Sequence, residues 1–246
     1  MKTERENGVR KSCKAASSVM QEVLKSVQVG TTLLSVQSTA LEAIQRQGAK
    51  SAFLGYRGYP GVLCLSVNEQ VLHGIPSNRV ILLGDAVKLD LGLYLDGWYS
   101  DMATTVCLGS ASEYPVMNRL SSAVSASLMA GIRVARAGNH TRDIAEAVDG
   151  TLTSMGYKPV EEMCGHGVGH GLHESPQVPN CLRGWGGDDK LFNGMIIAIE
   201  PMAGAGSPSI RIMPDGWTVV MADREPSSHF EHTVLITDGD PEVLTA

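Results

Sequence analysis

The chain has 246 residues, 43% of them apolar and 19% charged, with a net charge of -6 and a mean hydropathy near zero. That is ordinary globular composition, long enough for one large core or two small ones, and the mild, dispersed charge argues against nucleic-acid binding. No apolar run approaches the ~20 residues of a membrane span, and the amino terminus MKTERENGVRKSCK lacks the apolar centre of a secretory signal, while Glu4 and Glu6 argue against an acid-poor transit peptide. The cytoplasm is the expected compartment.

Helical periodicity opens the chain. Residues 4–28 carry Val9, Ala15, Val19, Val23 and Leu24 at three- and four-residue steps, with Gly30 as the stop. A second helix is predicted from Thr32 to Gln47, closed by Gly48. The stretch GYRGYPGVLCLSVNEQVLHGIP then alternates and is rich in Gly and Pro, which predicts strands joined by turns. From Ala86 to Leu108 two strand-like runs flank Asp96-Gly97, a strong two-residue hairpin signal. Helices return at 112–136 and at 141–156, the latter capped by Asn139 or Thr141 and ended by Gly156. A Gly/His segment (164–173) and a loop with little pattern (174–194) lead to three strand-like pieces near 195–202, 210–221 and 231–237. Two helices, strands, two helices and strands again make an α+β plan with weak two-fold repetition. No linker interrupts it, so residues 1–246 are expected to form a single domain.

Five side chains in the later part of the chain are metal-seeking: Asp90, Asp101, His166, Glu200 and Glu231. Four carboxylates and one imidazole brought into one cavity repel one another unless cations join them, and an oxygen-rich set with one imidazole suits divalent ions such as Mn, Co, Fe or Zn. The Asp-Gly hairpin provides a geometric test. With Asp96 and Gly97 as the loop, Leu95 faces Trp98, Gly92 faces Asp101 and Asp90 faces Ala103. Asp90, Gly92, Tyr94, Tyr99 and Asp101 then share one face, and the two aspartates are diagonal neighbours about 7–8 Å apart at the backbone. Gly92, lacking a side chain, is expected to leave the space between them open. Leu89, Leu91, Leu93 and Leu95 form the opposite, core face. Taken alone, the pair reads equally as two solvated acids. Glu200 ends the apolar run MIIAIE, where an unpaired carboxylate is expensive to bury, and Glu231 opens EHTVLIT; either could also be a strand-end acid.

In CGHGVGHGLH (164–173) three histidines alternate with glycines that let backbone and imidazole approach a bound group. The segment does not match the helical HExxH pattern, and a mobile loop with incidental histidines is its bland alternative. His73, in LHGIP, is a further candidate. The five scattered cysteines fit reduced thiols, and Cys164 is read as a small buried hydrophobe rather than a nucleophile.

The ordered stretches GYRGYP (55–60), SVNEQVLHGIP (66–76), LDLGLYLDGWYSD (89–101), CGHGVGHGLHESPQV (164–178), IEPM (199–202), DGWTV (215–219) and EHTVLIT (231–237) resemble the type I, bacterial-like methionine aminopeptidases from about residue 50 onward. The resemblance implies the pita-bread fold, a curved antiparallel sheet covered by helices with pseudo-two-fold symmetry, and two divalent metal ions. By the same resemblance Asp90 binds one ion, His166 and Glu200 bind the other, and Asp101 and Glu231 bridge them. His73 and His173 hold the scissile amide and its carbonyl, and Tyr56, Tyr59, Cys64 and Trp217 line the methionine pocket. Phe53 stands where a small residue is frequent, Leu172 where a phenylalanine is common, and His170 where arginine is frequent and without an assigned role. The 30 residues between Glu200 and Glu231 leave no room for the type II helical insertion.

The implied activity is two-metal removal of an initiator methionine, with a small second residue preferred. His173 donates to the developing negative charge and Glu200 shuttles the proton to the leaving nitrogen. Implied partners are peptide and nascent-protein N-termini, with transient ribosome association, a monomeric state, no nucleic-acid specificity and no membrane. The rivals are an Xaa-Pro peptidase of the same fold, and a metal-free binding protein that kept the fold.

Overall fold

The computed structural model describes residues 3–246. Helices α1 (Glu4–Ser26) and α2 (Leu33–Arg46) form where the periodicity predicts them. Thr3 and Glu6 close the start of α1 as a capping box: the Thr3 hydroxyl accepts from the Glu6 N–H at 3.2 Å, and the Glu6 carboxylate accepts from the Thr3 N–H at 3.0 Å. The short strands β1 (Lys50–Ser51), β2 (Cys64–Val67) and β3 (Gln70–Leu72) precede the long hairpin of β4 (Ala86–Leu95) and β5 (Trp98–Cys107). Asp96 and Gly97 both take positive φ, 51° and 93°, as a two-residue hairpin turn requires. The register is the predicted one, with Leu95 opposite Trp98, Gly92 opposite Asp101 and Asp90 opposite Ala103.

Helices α3 (Pro115–Val134) and α4 (Thr141–Ser154) follow. Pro115 opens α3 three residues later than predicted, its fixed φ suiting the first helical position. The cap of α4 is neither Asn139 nor Thr141. His140 occupies that position, its N–H donating to the Asp143 carboxylate at 2.7 Å, while the Thr141 hydroxyl donates to the Gly187 carbonyl at 2.9 Å.

The remaining strands are β6 (Lys158–Pro159), β7 (Cys164–Gly167), β8 (Glu174–Pro179), β9 (Ile196–Ile199), β10 (Met202–Gly204), β11 (Ile210–Ile212), β12 (Val219–Met221), β13 (Ser227–His229), β14 (Glu231–Leu235) and β15 (Glu242–Val243). Strand β8 lies inside the stretch expected to be loop. Its two prolines remove ladder donors and hide the pattern, but β8 ends the sheet's strand order, where prolines are tolerated. The piece near 195–202 is broken at Glu200-Pro201, and that near 210–221 is a hairpin of β11 and β12.

Among the described residues nine strands form one sheet in the order β1-β4-β5-β14-β9-β7-β8, with β2 beside β4 and β15 beside β14, all antiparallel. Register carries its two faces across the molecule. Asp90, Ala103 and Glu231 share one face. Leu89, Leu91, Met102, Val234, Ile197 and Ile199 occupy the other and are buried. On that apolar face the first three residues pack with α1 and α2 and the last three with α3 and α4, so each helix pair covers half of the sheet. Truncating one such side chain, Leu91→Ala for example, costs about 2–5 kcal/mol. Among the described residues no helix is long and apolar enough to cross a membrane.

Candidate metal centre

Five neighbouring strands deliver the five metal-seeking side chains, one from each. In sheet order β4, β5, β14, β9 and β7 carry Asp90, Asp101, Glu231, Glu200 (one residue past the end of β9) and His166. All five are buried. Their donor atoms form two overlapping triads, Asp90/Asp101/Glu231 and His166/Glu200/Glu231, within each of which the atoms lie no more than 4.8 Å apart. His166 Nε2 stands 3.5 Å from Glu200 Oε1 and 3.8 Å from Asp101 Oδ2, so Asp101 also reaches toward the second triad.

The electrostatics show what the cluster lacks. Burial raises the Asp90 carboxyl to about 7. Asp101 is pushed well above the usual range by burial and by Asp90, and Glu200 by burial, Asp101 and Asp90. Glu231 is raised by burial and by the other three acids, and its buried Oε1 has no hydrogen-bond partner among the described residues. Among the described residues no lysine or arginine forms an ion pair with any of the four. His166 is held neutral by burial, at about 3, and its Nδ1 lies 3.0 Å from the Gly167 carbonyl. A proton on Nδ1 makes that hydrogen bond and leaves the Nε2 lone pair facing the carboxylates, as a metal-ligating imidazole requires. The donor set therefore fits divalent cations, which satisfy the orphaned oxygen and remove the mutual repulsion.

Backbone contacts hold the acids in place. The Thr233 hydroxyl accepts from the Asp101 N–H at 3.2 Å and donates to its carbonyl at 2.7 Å, and the Asn180 amide donates to the Glu200 carbonyl at 3.1 Å. The space beside Gly92 is not open as expected. The ring of Phe53 fills it, and a Cβ on Gly92 would lie 2.5 Å from that ring. The glycine admits an aromatic wall against the two aspartates.

A cavity of about 570 Å³ opens onto the cluster, and the eleven side chains to which the resemblance assigns a role all line it. The Tyr56 hydroxyl lies 3.0 Å from His173 Nδ1, and the rings of His173 and His166 meet edge-on at 4.3 Å. His73 adopts φ 56°, a left-handed conformation uncommon for a residue with a Cβ and concentrated at functional sites. Burial lowers His73 to about 4, with His173 the lesser cause; burial and then Arg57 lower His173. Trp217 packs edge-on against Tyr59 at 5.1 Å and stands 6.2 Å from His73. Asp215 holds the Trp217 turn by accepting from the Trp217 and Thr218 N–H groups, both at 2.9 Å. Cys64 faces Asp90 across β2 and β4, and burial followed by the Asp90 charge pushes its thiol up. Phe53 and Leu172 also line the wall. Cys164 does too, half-exposed rather than buried, with its thiol raised to about 11 by burial and then by Glu200. A thiol so raised is a poor nucleophile at neutral pH.

Sequence reasoning passed over His229. It is buried, its Nε2 is 3.9 Å from Glu200 Oε2, and neither ring nitrogen has a hydrogen-bond partner among the described residues. Its position two residues before Glu231 was the available signal. Trp185, on the cavity rim and 63% exposed, carried no signal.

The profile of metallopeptidase family M24 matches residues 7–238. The methionine aminopeptidase of Borreliella burgdorferi is 39% identical over 239 residues, covering 96% of this chain and 94% of its own. The crystal structure of the methionine aminopeptidase from Thermotoga maritima superposes with a TM-score of 0.93 at 36% identity, covering 99% of this chain and 98% of that one. A prolidase from Pyrococcus furiosus reaches 0.77 at 21% identity, covering 100% of this chain and 65% of its own, a likeness of fold alone. The α+β architecture is thus the pita-bread arrangement implied by the sequence stretches.

Proposed function

The chain belongs to metallopeptidase family M24, and from that premise we propose that it removes the initiator methionine from nascent proteins by metal-dependent hydrolysis, preferring a small second residue. The observation that carries this reading is the buried cluster of one imidazole and four carboxylates, without a lysine or arginine partner among the described residues, at the floor of the cavity.

Asp90 would hold one ion, His166 and Glu200 would hold the other, and Asp101 and Glu231 would serve both. The two triads with Glu231 in common support this division. Two ions held there, of Mn, Co, Fe or Zn, would supply Lewis acidity and lower the pKa of water toward about 7. Each remaining task falls to the protein. Tyr56, donating to Nδ1 of neutral His173, leaves the proton on Nε2, where it meets the negative charge developing on the scissile carbonyl. Such a donor is typically worth about 2.7–4 kcal/mol of transition-state stabilisation. His73, fixed by its left-handed backbone, holds the scissile amide from the side of Trp217. Glu200 carries the proton to the leaving nitrogen.

Tyr56, Tyr59, Cys64 and Trp217 offer an apolar, polarisable wall that suits an unbranched thioether, and Phe53 narrows it beside the aspartates. A free substrate amine beside four acids accounts for restriction to chain ends. Residues 1–246 act as one catalytic unit, a reading supported by the sheet that runs beneath both helix pairs. The reading extends to a cytoplasmic monomer that acts on peptide and nascent-protein N-termini and associates transiently with the ribosome, as the resemblance of the sequence stretches implies.

Purified protein supplied with Mn or Co is to be assayed on Met-Gly-, Met-Val- and Xaa-Pro-peptides. Cleavage of the first well above the second is expected. Activity on Xaa-Pro bonds alone would overturn the substrate, and no activity on any peptide would favour a binding protein that kept the fold.

A further inference from the structure

The first turn of α1 reaches across the molecule to the segment that carries His173. Arg5 Nη2 donates to the Val168 carbonyl and to Glu174 Oε2, each at 2.8 Å. The other Glu174 oxygen, Oε1, accepts the Gly171 N–H at 2.7 Å. One ion pair thus ties the turn at Val168, Gly171 and Glu174, and His173 stands between the last two ties. The clasp closes directly over Gly169, where a Cβ would lie 2.7 Å from Glu174 Oε2 and 2.8 Å from Arg5 Nη2.

A second tie acts through the hairpin tip. The Tyr99 N–H donates to the Gly169 carbonyl at 2.9 Å, and His170 Nδ1 lies 3.0 Å from the Gly97 carbonyl. The His170 ring stacks on Trp98 with centroids 3.8 Å apart, and Trp98 lies so close over Gly8 of α1 that a Cβ there would sit 2.2 Å from its Nε1. His170 thereby acquires a place in the structure, as a pin between the hairpin tip and the turn.

The side chains of Arg5 and Glu174 are 39% and 25% exposed, and partly exposed ion pairs contribute little to global stability. The turn they hold contains Gly169 and Gly171 and is crossed by one internal bond, from the Gly169 N–H to the Gly171 carbonyl at 3.2 Å. The clasp's effect is therefore concentrated on the turn and on the His173 ring at its end. We propose that Arg5 and Glu174 are positioning residues for His173, so that the amino-terminal helix is part of the active site. This deepens the aminopeptidase reading and rests on it for the role of His173.

Arg5→Met, Arg5→Lys and Glu174→Gln in the full-length Mn-loaded protein test the proposal, with kcat and KM on a Met-Gly-peptide, bound metal, Tm, and hydrogen exchange across residues 168–174. Arg5→Met and Glu174→Gln should lower kcat roughly tenfold or more while KM, bound metal and Tm stay near wild type. Exchange across 168–174 should quicken in both. Arg5→Lys should restore rate and protection, because both Arg5 bonds leave a single nitrogen. An unchanged kcat in Arg5→Met would overturn the assignment. So would a fall explained by lost metal or lost fold, slowed turnover with unaltered exchange, or failure of lysine to rescue. If the wild-type protein cleaves no methionyl peptide, the functional reading fails, while the exchange measurement still decides whether Arg5 holds the turn.

Discussion

Asp90 on β4 and Glu231 on β14 both stand opposite Ala103 of β5, so a single methyl side chain occupies the sheet position between two buried carboxylates. Directly paired residues project from the same face, and the small residue leaves the acids room to share a cation. Ala103→Leu should wedge them apart. Overpacking there costs about 1–3 kcal/mol, and calorimetry should show a larger loss of Mn affinity than Ala103→Gly produces. Equal metal affinity in Ala103→Leu and wild type would mean that the two acids do not act together.

His173 is expected to act on substrate and not on metal. His173→Ala should keep the metal content while lowering kcat by orders of magnitude, and Tyr56→Phe, which frees Nδ1, should lower it less. The assay pairs steady-state kinetics with metal analysis. Loss of metal in His173→Ala would make that histidine a ligand, a competing arrangement since it also forms a donor triad with Asp101 and His166.

Stability at acid pH should depend on Asp85, just before β4. Burial opposes its ionisation. The Arg79 fork at 2.7 and 2.9 Å, the Leu82 N–H at 2.8 Å and the Asn68 amide at 2.9 Å outweigh burial and hold it below its usual 3.8. A depressed carboxylate contributes stability that is present above its unfolded value and lost as pH falls through its lower folded value. Asp85→Asn should therefore destabilise by about 1–3 kcal/mol at neutral pH, and the gap should close below about pH 4 in denaturant titrations. A gap of constant size would show that the charge of Asp85 is not what stabilises.

Metal uptake should release protons. With Asp90 raised to about 7 and Asp101, Glu200 and Glu231 each pushed well above the usual carboxylate range, the metal-free cluster holds protons that cation binding displaces. A raised carboxylate contributes stability below its unfolded value and loses it as pH rises through its folded value. The rise in Tm on adding Mn should thus be greater at about pH 8 than at about pH 5. Calorimetry at about pH 6 in buffers of different ionisation enthalpy should report proton release; proton-neutral binding would contradict the shared charge.

The hairpin was legible to the residue because Asp96-Gly97 sets the register and alternation then sets the faces. The five donors were legible as chemistry, but not their consecutive placement on five strands, since β9 and β7 join the sheet through pairings that no local pattern encodes. Strand β8 was hidden by Pro176 and Pro179. Gly92 signalled a missing side chain without revealing that Phe53 would fill the gap. The contact of Arg5 with Val168 spans 163 residues, beyond any periodicity, and no local pattern places His229 beside Glu200.

Asp101 lies where the two donor triads approach each other, and removing its charge bears most directly on the claim that they hold a shared pair of ions. The measurement is Mn stoichiometry by calorimetry together with turnover of a Met-Gly-peptide, on wild type and Asp101→Asn of equal circular dichroism. Wild type should bind two ions per chain and turn over, whereas the folded variant should lose ion binding and activity together. Full activity, or undiminished stoichiometry, in Asp101→Asn would contradict the shared site.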